Sequence, residues 1–198
     1  MGMRPNFMRL TEVASVRQGP AVPKDESTNG RCLSVGVTDL VSLMVGPNSL
    51  QPAPCPNWPQ KHMLRDGEII VSNRNRPLRA SVFEGQWADL PVVAANQCLV
   101  ISPNQDMVRP VYLAGLLRSG YGQVLVDSLY TVSTSISLIN IKAFNDLAIP
   151  LPPLEVQDLI AQTFIEHQEY VSALTEEITL ANTLLTATLA RVLEVGRA

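Results

Sequence analysis

The sequence predicts an α+β protein. A mixed α/β domain with a short-stranded sheet spans residues 1–150, and one long coiled-coil helix follows over residues 151–198. Three observations carry this. The first 150 residues hold several short Val- and Ile-rich runs bounded by turn residues, the mark of short strands. A proline cluster, Pro150, Pro152 and Pro153, then interrupts the chain, and such a cluster stops a strand and favours a helix start just after it. Residues 154–195 contain neither Pro nor Gly, and their apolar side chains recur at helical spacing.

The expected strands are Cys32–Val37, Glu68–Ser72, Ala80–Phe83, Cys98–Ser102 and Leu147–Ile149, with Asp66-Gly67 as a turn before the second. Five prolines between Gly46 and Pro59 predict a long irregular loop. Pro110–Arg118 reads as a short amphipathic helix with Pro110 in its first turn, followed by helical segments over Tyr121–Asp127 and Ile141–Phe144. In the C-terminal stretch, Phe164, Val171, Ile178, Leu185 and Val192 occupy the a positions of a heptad pattern. Ile160, His167, Leu174, Ala181, Thr188 and Val195 occupy the d positions. Ile160, Phe164, Val171, Leu174, Ile178, Leu185 and Val192 are therefore the expected contacts with a partner helix. About 40 residues at ~1.5 Å each make a rod roughly 60 Å long, which would leave its apolar stripe in water unless another helix covers it. The alternative is a helix that folds back over its own domain. Thr179, Thr183, Thr186 and Thr188 weaken its intrinsic helicity.

Of 198 residues, 46% are hydrophobic and 17% charged, and 15 basic against 18 acidic residues give a net charge of −3. The balance excludes a strongly cationic binder on average but not locally. Residues 1–150 carry 13 Lys/Arg and 11 Asp/Glu, whereas residues 151–198 carry 2 and 7. No apolar run is long enough to span a membrane, and the first ten residues lack a secretion signal, so a cytoplasmic protein is expected. Cys32, Cys55 and Cys98 form no CxxC or CxH pair, which predicts free, packed thiols rather than a disulfide framework or zinc site. His62 and His167 stand far apart, and His167 reads as a helix-face residue.

Enzyme signatures fail. Gly115–Gly120 is followed by Tyr121 rather than the Lys of a phosphate loop, and Gly120-Tyr121-Gly122 follows a helix rather than a strand. GxSxG and HExxH are missing, and Leu151-Pro152-Pro153-Leu154 lacks the polar head and aromatic tail of an amino-methylating loop. No catalytic residue, metal or cofactor is assigned.

Two polar segments stand out. After the strand ending at Ser72, Asn73, Arg74, Asn75, Arg76 and Arg79 place three arginines and two asparagines within seven residues. Arg bonds bidentately to guanine and Asn to adenine, and both grip phosphates; the alternative is a solvated loop whose arginines pair with nearby carboxylates. Tyr130–Ser137 carries several small hydroxyls, including Ser133, Thr134 and Ser135, and no acid. It suits phosphate oxygens as a loop, or else forms a strand with a Ser/Thr face. Lys61 and Lys24 could add phosphate contacts, and Gln86 with Trp87 a stacking surface.

The order of these pieces resembles the DNA-specificity (S) subunit of type I restriction-modification systems. The resemblance begins with Leu10-Thr11-Glu12-Val13-Ala14 leading to Gly19, then Asp39-Leu40, and Leu64-Arg65-Asp66-Gly67-Glu68-Ile69-Ile70-Val71. Tyr112-Leu113 with Leu116-Leu117, Ser119 and Gly122-Gln123 follow. Its most specific part runs from Ile139-Asn140-Ile141 to Ile149-Pro150-Leu151-Pro152-Pro153-Leu154-Glu155-Val156-Gln157, ahead of the long helix. The resemblance implies a target-recognition domain that reads double-stranded DNA, carried on a coiled-coil helix. It also implies a partner methyltransferase (modification) subunit that supplies the S-adenosylmethionine chemistry, and in some complexes a restriction subunit. Full-length members hold two recognition domains and two antiparallel helices. This sequence holds one of each, so it resembles a half-length subunit, for which pairing with a second copy is expected. A protein-interaction adaptor of a defence complex, with the same fold but no DNA reading, is the second expectation.

Overall fold

In a computed structural model, residues 6–21, 30–46, 50–55, 60–74, 76–133 and 136–195 are described. The chain opens with β1 (Asn6–Arg9), α1 (Leu10–Val13) and β2 (Ala14–Gln18), followed by β3 (Gly30–Val35) and β4 (Gln51–Cys55). Next come β5 (Ile69–Ser72), β6 (Ala80–Val82), β7 (Val92–Ala94) and β8 (Cys98–Pro103). The helices α2 (Pro110–Arg118) and α3 (Gly120–Asp127) lead into a hairpin, β9 (Tyr130–Ser133) and β10 (Ile136–Ile139). Finally α4 (Ile141–Asn145) and β11 (Ala148–Leu151) precede α5 (Leu154–Val195).

The centre is an antiparallel sheet in the order β2-β8-β5-β6. Its two middle strands are apolar at almost every position, because both faces are covered. Ile69, Val71, Leu99 and Ile101 face a core closed by α2, α4 and the start of α5, with Leu113, Leu117, Phe144 and Ile149 fully or almost fully buried there. Ile70, Cys98 and Val100 face a second core with Val35, Leu40, Phe83 and Val92. The second core is roofed by a smaller sheet, β4-β3-β7, in which β3 and β7 run parallel. Burial pushes the Cys98 thiol up to about 12, with Asp39 adding to the rise, so it stays protonated near neutrality. Cys32 and Cys98 are both buried, as the packed thiols expected from the spacing of the cysteines.

The strands expected from the apolar runs and the expected helices appear, shifted by up to three residues at their ends. The helix over Pro110–Arg118 has Pro110 in its first turn. Ser119 caps α3 by accepting from the Gly122 N–H, and Asn140 caps α4 by accepting from the Lys142 and Ala143 N–H groups. Gly67, with φ of 80°, makes the expected turn before β5.

Three expectations are corrected. The irregular loop expected between Gly46 and Pro59 contains β4, paired antiparallel to β3. Pro52 and Pro54 are two residues apart on the sheet's edge, so both nitrogens without a hydrogen can face away from β3 and no ladder bond is lost. Of the two alternatives for the hydroxyl-rich segment after Tyr130, the strand is the one found: Tyr130–Ser133 pairs antiparallel with Ile136–Ile139. Asp39, which the family resemblance sets on a strand, instead ends a 3-10 turn, Val37–Asp39, and its carboxylate accepts from the Gly36 N–H at 2.7 Å. Ile160 and Phe164, placed on the partner seam by the heptad, pack instead against the chain's own core. The reason lies on α2: Gly115 has no side chain, and a Cβ there would stand 2.2 Å from the Phe164 ring. That bare patch lets α5 approach α2 closely.

The start of α5 is anchored through Gln157, a fully buried polar side chain. Its Oε1 accepts from the Arg109 N–H at 2.8 Å, and its Nε2 donates to the carbonyls of Met107 (3.0 Å) and Pro152 (2.8 Å). Next to it the Arg109 guanidinium pairs with Asp158 at 2.7 Å. These contacts account for the Gln that follows the Pro-Pro-Leu run. Beyond residue 169 the side chains of α5 through residue 193 are all exposed, among them Val171, Leu174, Ile178, Leu185 and Val192. No helix among the described residues is long and apolar enough to cross a membrane.

Candidate nucleic-acid interface

The arginine-rich segment is the connection from β5 to β6, and the fold fixes it on three sides. At its base, the Ser72 N–H donates to the Arg79 carbonyl (2.8 Å) and the Arg79 N–H to the Ser72 hydroxyl (2.9 Å). At its far end, the Gln123 side chain of α3 accepts from the Leu78 N–H (2.9 Å) and donates to the carbonyls of Leu78 (3.0 Å) and Leu117 (2.8 Å). On the third side lies the β9–β10 hairpin: the Ile139 N–H donates to the Asn73 carbonyl at 3.0 Å, and Arg74 bridges to Leu138. The two polar segments that stand 50 residues apart in sequence are thus neighbours in space.

The individual side chains differ. Asn73 is buried, 6% exposed, and its Oδ1 has no hydrogen-bond partner among the described residues. Arg74 is partly buried, and its Nε also lacks a partner among the described residues. Arg76 is exposed but engaged: it pairs with Asp127 at 2.6 Å and lies 4.8 Å from the centre of the Tyr130 ring. The carboxylate partner of Arg76 is therefore Asp127 on α3. Arg79 is exposed, and one of its Nη atoms donates to the Val37 carbonyl at 3.3 Å.

Asn75, Thr134 and Ser135 lie outside the described residues, as does Lys24, and the same holds for the side chains of Ser133 and Trp87. Lys61 is exposed on the short 3-10 turn Gln60–His62. That turn leads to Met63, which bridges to Val93 of β7, so Lys61 belongs to the smaller sheet's side rather than to the arginine connection.

Sequence reading missed one cation. Arg118, the last residue of α2, donates to the carbonyls of Val41 (2.6 Å), Ala80 (3.0 Å) and Ser42 (3.3 Å). Burial, with Arg79 nearby, lowers its pKa. Arg118 and Arg79 line one cleft of about 300 Å³ with Leu40, Val41, Pro77 and Leu78. In sequence Arg118 is an ordinary last-turn cation, and nothing there announces the three carbonyls it meets.

Comparison with known proteins agrees with this architecture. Residues 60–181, more than half of the chain, match the family model described as "Type I restriction modification DNA specificity domain". A curated protein of Methanocaldococcus jannaschii, named as the specificity subunit of the type I restriction enzyme MjaX, is 27% identical over 125 residues, covering 62% of this chain and 29% of that protein. Among solved structures, the HsdS subunit from Thermoanaerobacter tengcongensis superposes with a TM-score of 0.59 at 22% identity, over 89% of this chain and 41% of that one. The S subunit of a type I restriction-modification system from M. genitalium gives 0.56 at 15% identity, over 91% of this chain and 44% of that one. This chain therefore spans less than half the length of these relatives. The match of residues 60–181 takes in the arginine connection, the hairpin and the base of the long helix, and by it the chain belongs to the type I restriction-modification DNA specificity domain family.

Proposed function

We propose that the chain recognises a DNA sequence on behalf of a type I-like restriction-modification complex, as a non-catalytic specificity component. Residues 1–150 form the recognition domain and residues 151–198 the helix that joins partners. The β5–β6 connection, backed by the β9–β10 hairpin, meets the double helix. The observation that carries this is a pair of polar atoms at the end of β5 left unmet among the described residues, Arg74 Nε and Asn73 Oδ1. Each such atom costs about 1–3 kcal/mol when left unpaired, and a DNA phosphate or base edge is one group that would satisfy the arginine. Arg74 is the first candidate for direct contact, with Arg79, Asn75, Ser133, Thr134 and Ser135 around it and Lys61 as an outlying phosphate contact. Asn73, being buried, shapes the connection, and Arg76 contributes to DNA only insofar as Asp127 shares it.

Methylation, and cleavage where it occurs, belong to a modification subunit and a restriction subunit that the specificity component recruits, in the cytoplasm. The charge supports this division. The recognition domain nets only +2, too little for strong isolated binding when phosphate neutralisation drives affinity, so partner subunits supply much of the positive surface. The exposed outer part of α5 pairs with a second copy, which brings two recognition domains to one DNA site.

The test is methylation of a DNA library by the assembled complex, comparing the parent chain with Arg74→Ala and with Arg74→Ala/Arg76→Ala/Arg79→Ala. A base-reading arginine costs ~1–3 kcal/mol when removed and relaxes the sequence preference at its position. An unchanged methylation pattern with the triple variant would remove the interface from the β5–β6 connection.

A further inference from the structure

Three elements converge on the arginine connection at Arg76. Its Nη1 pairs with the Asp127 carboxylate at 2.6 Å, and its Nη2 donates to the Asp127 carbonyl at 3.3 Å. The guanidinium also lies 4.8 Å from the centre of the Tyr130 ring, at the start of β9. The two side chains of the ion pair are 46% and 60% exposed, so the pair stands at the surface, where a ligand can reach it. Asp127 is the last residue of α3, and no basic residue shares that last turn. A carboxylate there faces the negative end of the helix, so α3 by itself gains nothing from it. What it does instead is hold Arg76 in one orientation.

We infer that Arg76 and Asp127 act as one unit that reads a guanine in the target, with Asp127 as the positioning residue that aims the arginine. This rests on the reading that the β5–β6 connection meets DNA, and it names one base for that surface. Two properties of the pair favour a base over a phosphate. Its net charge is zero, so it gains little from the counterion release that drives phosphate contacts, and its carboxylate repels phosphate oxygens. Its donors nevertheless remain. A guanidinium carries five N–H groups, and the two contacts to Asp127 use two of them. Held by Asp127 and the Tyr130 ring, the planar fork suits the O6 and N7 acceptors of guanine in the major groove. Adenine sets an amino group beside N7, so one donor would meet another. The cytosine paired with the guanine presents its N4 amino group, which a neighbouring carboxylate accepts.

The neighbouring arginines differ in this respect. Among the described residues neither Arg74 nor Arg79 takes part in an ion pair, and the Arg79 guanidinium meets only the Val37 carbonyl. They keep their full charge and suit phosphates, which fix register without carrying sequence information. Arg76, with its charge cancelled and its orientation fixed, suits the base.

Methylation of a randomised DNA library by the assembled complex reads the base preference at each position. The salt dependence of binding to the selected duplex reads the charge. Arg76→Ala and Arg76→Lys are expected to lower the preference for guanine at one position by about 5- to 150-fold. Asp127→Asn is expected to lower it at that same position by about 3- to 10-fold. The slope of log affinity against log salt should change by less than about 0.3 for Arg76→Ala. It should steepen by up to about 0.9 for Asp127→Asn, which frees a full positive charge. A loss spread evenly over all sequences in Arg76→Ala, with a slope shallower by about 1, makes Arg76 a phosphate contact and overturns the inference. Guanine preference kept by Arg76→Ala overturns it too, and the DNA interface still stands if the Arg74→Ala/Arg76→Ala/Arg79→Ala variant alters the pattern. If Asp127→Asn keeps the preference that Arg76→Ala loses, Asp127 is not the positioning residue. An unchanged pattern in the triple variant overturns the interface and the guanine reading together.

Discussion

The two parts of α5 share one helix and one heptad pattern, yet they meet different surroundings. The base, from Leu154 to about Ile165, is sewn into the domain: Gln157 makes three hydrogen bonds to backbone, Phe164 lies against Gly115, and Ile160, Ala161 and Ile165 join the main core. The outer part offers the same kinds of apolar side chain to solvent. Periodicity alone cannot separate them, since it reports that a face is apolar and not what covers it. What covers the base is a glycine on another helix, 49 residues upstream of the phenylalanine it admits.

The largest expected effect that would break this contrast is at the base. Replacing Gly115 by Leu forces a branched side chain into the space of the Phe164 ring, and overpacking of this kind costs typically 1–3 kcal/mol and occasionally more. Denaturant unfolding should show the loss, and protease cleavage should find the base of α5 opened. If Gly115→Leu is as stable as the parent, the base of α5 is not held by this contact. Gln157→Leu stands level with it. It leaves the Arg109 N–H and the Met107 and Pro152 carbonyls without their partner, each worth about 1–3 kcal/mol when buried and unpaired, and a drop in unfolding free energy of about 3 kcal/mol is expected.

In the outer part the same kind of change should separate stability from association. Ile178→Asp removes no intrachain contact of the core, so unfolding of the dilute monomer should shift by no more than about 0.5 kcal/mol. Light scattering should nevertheless report a lower mass at high concentration. A large loss of monomer stability would show that the outer part folds onto its own domain after all.

The smallest effect near neutrality is that of pH, and it too belongs to the domain side. Cys98 and Tyr112 are both pushed up to about 12, chiefly by burial, with Asp39 and Tyr121 respectively adding to it. The Tyr112 hydroxyl donates to the Pro150 carbonyl at 2.7 Å, just before α5 begins. For an acid whose folded pKa is raised, the unfolded chain ionises first. Stability is therefore full below about pH 9, the ordinary thiol value, and falls progressively as pH rises to about 12. Alkaline titration of unfolding should show that fall for the parent and a shallower one for Cys98→Ala and Tyr112→Phe. A flat profile up to pH 11 would contradict the burial of these groups.

Much of this protein is legible along the chain. The strands around Ile69–Ser72 and Cys98–Pro103 announce themselves by apolar runs, α2 by its leading proline, and α5 by 42 residues without Pro or Gly. Short edge strands such as β1, β2 and β7 do not, because three to five residues that pair with distant segments carry almost no local signal. The arginine cluster is equally plain in sequence. That Arg74 has an unmet Nε while Arg76 is paired to Asp127 is not, since both fates depend on the side chains of α3 and the hairpin brought against them.

By itself the sequence determined the succession of elements, the break at the prolines, the apolar stripe of α5 and the concentration of arginines after β5, because propensity, turn chemistry and periodicity act within a few residues of one another. Only the tertiary structure decided which part of that stripe is covered, which arginine is left unpaired, and how Gln157 and Arg118 find their carbonyls. Those outcomes depend on contacts between segments tens of residues apart, and such contacts exist only once the cores have closed.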